Sequence, residues 1–189
     1  MRKGRHASTR GQPRGQIKEA VSIRERPPEA EDRAVPGHWE GDLLDGSRNS
    51  HAATLVEGSS RFVMLVRVGG MNTESVVCAL SEQIRRLPKT MMATLTWDRG
   101  PEMDAHKSFM VVTDVSVYFC DPRSPWQRGT SENTNRLLRQ YLPRSTNLSV
   151  YDQDDLDLLI ALKLNTRPHK TLGYSTPAAT LARTVALTG

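Results

Sequence analysis

An α/β domain built on a mixed five-stranded sheet flanked by helices is the fold class that this 189-residue sequence predicts. Two patterns carry the prediction. Between His38 and Val68, three short β-rich segments follow one another with turn residues between them. From Thr73 onward, segments with a helical apolar stripe alternate with short β-rich runs. Hydrophobic residues make up 37% and charged residues 25%, which suits one medium domain with a real core and a tail.

Taken in order, the first 33 residues read as a flexible basic arm. Arg2, Lys3, Arg5, Arg10, Arg14 and Lys18 are accompanied by no acidic residue up to Lys18, so the arm is either a solvated tail or a strap along phosphates. Pro27-Pro28 and Pro36-Gly37 bracket the approach to the packed part, expected over residues 34–183, with 184–189 as a tail. HWEGDLL is the first strand, Leu55-Val56 belong to the second, and RFVMLVRV is the third, with Phe62, Met64, Val66 and Val68 on one face. Thr73 opens a helix whose stripe is Val76, Val77, Leu80, Ile84 and Leu87, stopped at Pro88. TLTWD, residues 94–98, is a fourth strand, His106 to Val112 a short helix, and Val115 to Phe119 a fifth strand. A turn-rich stretch then enters a helix capped by Thr130 or Ser131 and carrying Glu132. Asp154 to Leu164 is the final amphipathic helix, part of a C-terminal helical extension of the core, followed by NTRPHKTLGYSTP as an irregular C-terminal segment. Three antiparallel strands, then helix, strand, helix, strand and helices, is the order of a ribonuclease-H-like fold.

Charge and cysteine usage bound the function. A net charge of +5 and a pI near 9.5 fit an anionic partner. No apolar run approaches 18 residues and no signal-peptide pattern is present, so the expectation is a soluble, intracellular protein without a membrane partner. Cys78 and Cys120 supply neither a disulfide framework nor a zinc site, and both read as core residues.

The carboxylates carry the chemistry. Asp42 lies in the first strand, Asp98 at the end of the fourth, and Glu132 near the start of a helix. First and fourth strands are neighbours in the expected fold, so the aspartates can approach each other, with Glu132 alongside. Three clustered carboxylates repel one another unless divalent cations neutralise them, and Mg²⁺ or Mn²⁺ suits all-oxygen ligands. Two such ions about 4 Å apart would activate a hydroxyl and stabilise the leaving oxygen of a phosphodiester. Each residue also has a plainer reading: Glu132 complements a helix dipole, and the aspartates end strands. Asn135, Arg136 and Arg139 share the helix face of Glu132, while Glu40 shares a strand face with Asp42 as a rival ligand. Arg123, Arg128, Arg136 and Arg139 surround the expected site as phosphate contacts or as solvated charge. Trp126 either stacks on a base or anchors its loop. Trp39 and Trp97 read as core.

The stretches RPPEAEDRAVPGHWEGDLL, LTWDRGPEM, VYFCDPRSPWQRGTSENTNRLLRQYLP and LNTRPHKTLGYSTPAATL carry a resemblance. They resemble the catalytic part of a bacterial insertion-sequence transposase with a DDE core of the retroviral-integrase type, most nearly insertion-sequence family thirty. The resemblance covers about Ile17 to Leu181, and 33 residues separate Asp98 from Glu132. It implies Asp42, Asp98 and Glu132 as the metal-binding triad. It further implies two Mg²⁺ or Mn²⁺ ions, hydrolysis at transposon ends followed by attack of a 3′-hydroxyl on target DNA, and a homo-oligomer on DNA in the bacterial cytoplasm, at the nucleoid. That family carries an N-terminal helix-turn-helix region, with no counterpart ahead of the basic arm here. The expectation is therefore a truncated transposase, a fragmentary gene copy or a separately expressed catalytic part. An idle DNA-binding regulatory fragment and a ribonuclease-H-like nuclease are the other readings.

Overall fold

The computed structural model describes residues 17–33 and 35–188. Its centre is a five-stranded sheet: β1 (His38–Asp45), β2 (His51–Glu57), β3 (Val63–Val68), β4 (Thr94–Trp97) and β5 (Ser116–Phe119), in the order β3-β2-β1-β4-β5. The first three strands form an antiparallel meander, and β1–β4 and β4–β5 are parallel. Both faces are covered, so β2 is buried at every position rather than alternating. One face packs on α2 (Thr73–Ile84) and α3 (His106–Thr113), with Trp39, Leu55, Leu80, Leu95, Trp97 and Phe109 at its centre. The other packs beneath α4 (Gly129–Leu138) and α5 (Gln153–Ile160) through Leu44, Val56, Leu65, Leu138, Leu156 and Ile160. Each such side chain taken from water contributes about 1.5–3 kcal/mol. The expected fold class, antiparallel meander and neighbouring first and fourth strands are those observed.

Both sheet edges are closed, by devices that the hydrophobic pattern does not show. Along β3, the outward backbone groups alternate, and amide side chains from the α5 segment meet them. Gln153 accepts from Arg67 N–H and donates to Leu65 C=O, while Asn165 accepts from Val63 N–H and donates to Val63 C=O. Asn165 reaches that position because α5 relaxes into a π-helical turn over Ala161–Asn165. An edge strand covered this way cannot recruit a foreign strand. At β5 the cover comes from the N-terminal segment: Val21 C=O accepts from Phe119 N–H, and Ser22 bridges Phe119 in parallel.

That segment corrects the expected boundary. Residues 1–16 of the predicted arm lie outside the described residues, but Ile17 and Ile23 are buried, and α1 (Pro28–Asp32) follows. Packed chain therefore begins well before residue 34, because two isolated isoleucines and a strand edge suffice to dock it. At the other end α6 spans Pro177–Thr188, so residues 184–188 continue a helix rather than forming a tail. Cys78 is also corrected. It sits on the solvent side of α2, within 3.7 Å of Glu82 Oε1, because the stripe facing the sheet is Val76, Leu80 and Ile84. Cys120 is buried as expected, and burial pushes its thiol up to about 11.

Candidate active site

Strand register places the two aspartates. Glu40 on β1 pairs with Thr96 on β4, so Asp42 and Asp98 each stand two residues further along neighbouring parallel strands, on the same side of the sheet. The opposite side explains the intervening Gly41. A Cβ there would lie 2.2 Å from the Trp97 ring, so only glycine lets the indole lie flat against β1. Trp97, fully buried, donates its Nε1–H to Glu102 Oε1 at 2.9 Å. Burial pushes the Glu102 carboxyl up, against that hydrogen bond, which pulls it down. Glu102 is a buried acid near the site that spacing alone does not reveal.

A single arginine ties the aspartates together. Arg128 Nη1 lies 3.0 Å from Asp42 Oδ1 and Nη2 lies 3.3 Å from Asp98 Oδ2, and Nη1 also donates to Gly41 C=O. Arg128 is 9% exposed. Burial alone would lower its proton affinity; the charges of Asp42 and then Asp98 outweigh it and hold the guanidinium above its usual value. Asp42 further accepts from Asn135 Nδ2 at 2.8 Å, and Asp98 Oδ1 accepts from Gly100 N–H. The Asn135 Oδ1 atom is buried beside Asp42 without a partner.

The start of α4 departs from the sequence reading. Thr130 and Ser131 do not cap it; both are buried inside its first turn, and the 3₁₀ turn Pro125–Arg128 runs straight into the helix. The acceptor for the unpaired Ser131 N–H is Glu40 Oε2, at 3.0 Å, from β1. Glu40 is thus a helix cap supplied by a neighbouring strand, which accounts for its burial without any ligand. Glu132 stands on the exposed side of the first turn, with no hydrogen bond or ion pair among the described residues. The structure therefore brings Asp42 and Asp98 together, and leaves Glu132 one helical turn before Asn135 but not joined to them. Among the described residues, no three His, Cys, Asp or Glu side chains are grouped as a metal site.

The other candidates divide. Arg136 and Arg123 are exposed, and Arg123 holds a left-handed φ of 59°. Arg139 donates to Asp45 C=O and Leu142 C=O. Trp126 is 73% exposed, so it does not anchor its loop. Gln127 does that: it accepts from Asp121 N–H and donates to Asp121 Oδ2. Gln127, then Arg24, hold the Asp121 carboxyl below its usual range. Trp39 and Trp97 are core, as read.

An Integrase core domain matches residues 32–125, a span that holds Asp42 and Asp98 and stops before Glu132. The chain is 49% identical, over all of its length and 49% of the relative's, to the transposase InsI of insertion sequence element IS30A of Escherichia coli. It is 51% identical to the transposase of element IS1086 of Cupriavidus metallidurans, over 92% of this chain and 51% of that one. The transposase of element IS4351 of Bacteroides fragilis is 33% identical over 93% of this chain and 55% of its own. The chain thus spans about half the length of the curated relatives it matches. Among solved structures, the catalytic core domain of BIV integrase superposes with a TM-score of 0.59 at 19% identity, over 79% of this chain and 96% of that one. That likeness confirms the ribonuclease-H-like fold.

Proposed function

We propose, for a chain that belongs to the insertion-sequence family thirty transposases, that it is the DNA-cutting and strand-joining core of such an enzyme. Its substrates would be transposon ends and target DNA, and its working form a homo-oligomer assembled on them. A DNA partner would place it in the cytoplasm, at the nucleoid. No described helix is long and apolar enough to cross a membrane. The observation that carries the reading is the Asp42–Asp98 pair, drawn to one shared positive charge at the edge of α4.

The donor set fits divalent metal. The ligands on offer are all oxygens, a guanidinium already stands in as the cation between the two carboxylates, and the orphaned Asn135 Oδ1 adds a buried acceptor beside Asp42. Asp42 and Asp98 would hold the metal, with Glu132 recruited from the first turn of α4. Bound there, Mg²⁺ or Mn²⁺ would favour the hydroxyl nucleophile and neutralise the leaving oxygen. Asn135 and Gly100 N–H fix the orientation of the two aspartates. Arg128, released from the pair, would be placed to meet a phosphate oxygen bidentately.

The test is strand joining with a pre-cut donor duplex in Mg²⁺ or Mn²⁺. Joined product should form, and should fall at least about 10²-fold in Asp98→Asn. Nicking without joining would favour a nuclease. DNA that binds but is neither nicked nor joined would favour a regulatory fragment.

A further inference from the structure

A cavity of about 470 Å³ opens on the other flank of α4. Its apolar wall is the buried Val63 and Leu164 with the half-buried Leu137. Arg33, Arg61 and His169 line it as well, each from a different part of the chain. Arg33 ends the N-terminal segment, Arg61 sits in the β2–β3 turn, and His169 lies in a C-terminal loop closed by its own backbone hydrogen bonds to Leu172, Tyr174 and Ser175.

Three features of this cluster ask for a ligand. Arg61 adopts a left-handed φ of 60°, a conformation that disfavours a side chain. The turn is fixed there because Arg61 N–H donates to Glu57 C=O and the Glu57 carboxylate holds Ser60. The guanidinium is thereby brought to Thr130 Oγ1, at 2.7 Å. Second, neither Arg61 nor His169 has a carboxylate partner among the described residues, and Arg33 reaches Glu40 only at 3.5 Å. Third, the charges oppose one another. Burial and then Arg33 hold the Arg61 guanidinium below its usual value, and burial, then Arg167 and Arg61, lower the His169 imidazole. Two converging arginines, with the His169 imidazole beside them as a further donor over an apolar wall, make an anion site with a hydrophobic extension.

We infer that this cavity holds one unpaired nucleotide of a DNA strand, its phosphate among Arg61, Arg33 and His169 and its base against Val63, Leu137 and Leu164. The inference rests on the reading of the chain as a DNA-acting protein. Its volume falls within the ~300–1,000 Å³ of small-molecule sites. It admits a base turned out of the stack or at a strand end, not a stacked pair. Asn133, on the wall, offers an amide to a base edge.

The test uses the full chain in EDTA, so that no turnover enters, and titrates dAMP, deoxyadenosine and inorganic phosphate by calorimetry. dAMP should bind, with deoxyadenosine and phosphate each at least about fivefold weaker, because each keeps half of the contacts. Arg61→Ala should weaken dAMP about tenfold, the loss of a charge-assisted contact. Thr171→Phe fills the cavity from its exposed wall and should block dAMP while leaving Tm unchanged. Asp98→Asn should bind dAMP as the wild type does, which separates this site from the strand-joining reading. Equal dAMP affinity in wild type, Arg61→Ala and Thr171→Phe would overturn the inference. So would phosphate binding as tightly as dAMP.

Discussion

The two flanks of α4 handle charge in opposite ways. On one, two carboxylates converge and the protein supplies its own cation, Arg128. On the other, Arg33, Arg61 and His169 converge, and among the described residues the one carboxylate in ion-pair reach of them is Glu40, 3.5 Å from Arg33. The same helix thus separates a site that is neutralised internally from one whose neutralisation is left to a partner. Burial explains the difference. Arg128 is 9% exposed and an unpaired charge there is costly, whereas the cavity cations keep part of their hydration.

The largest effect should come from removing the carboxylate that shapes the basic flank. Glu57, fully buried, accepts from Gly37 N–H, Ser59 Oγ, Ser60 N–H and Ser60 Oγ. Glu57→Ala strands these donors and should cost about 3–5 kcal/mol in urea unfolding. A loss under about 1 kcal/mol would mean that the Arg61 turn is held by other contacts.

Next in size is Arg128→Ala. Freed of their shared cation, Asp42 and Asp98 repel, and stability in EDTA should fall by about 1–3 kcal/mol, less than for a wholly buried pair because both carboxylates reach solvent. Added Mg²⁺ should then raise Tm more in the variant than in the wild type. Equal rises would show that the arginine does not occupy the cation position. Trp126→Ala should leave stability within about 0.5 kcal/mol, given its exposed ring, yet weaken single-stranded DNA binding by roughly 1–3 kcal/mol if it stacks on a base. A sharp drop in Tm would instead make it a structural anchor.

The smallest effect is a slope. Folding lowers the His169 pKa below its usual 6.5, chiefly through burial. The unfolded chain therefore binds more protons below that pH, and stability falls with acidification until the folded imidazole is itself protonated. A bound anion favours the protonated imidazole, so dAMP should bind more tightly as pH falls towards the lowered His169 pKa. His169→Gln should flatten both dependences; an unchanged slope would assign them to another group.

Much of the scaffold is written in local pattern. The alternation through Met64, Val66 and Val68, the stripe of Val76, Leu80 and Ile84, and the spacing of Asp42, Asp98 and Glu132 all follow from periodicity and motif. Each is a relation between residues near in sequence or a fixed offset along the chain. The rest is made by pairs far apart: Glu40 capping α4 at Ser131, Asn165 and Gln153 closing the β3 edge, Trp97 lying on Gly41, and Arg128 bridging two strands. Arg61 is one of 26 lysines and arginines, and what aims it at the cavity is the β2–β3 turn, held by its N–H to Glu57 C=O. No periodicity encodes such contacts. The sequence by itself determined the five strands, the helices between them and the acids they carry; only the packing of those elements decided which charges meet, because Coulomb and desolvation energies depend on distances that the chain acquires when it folds.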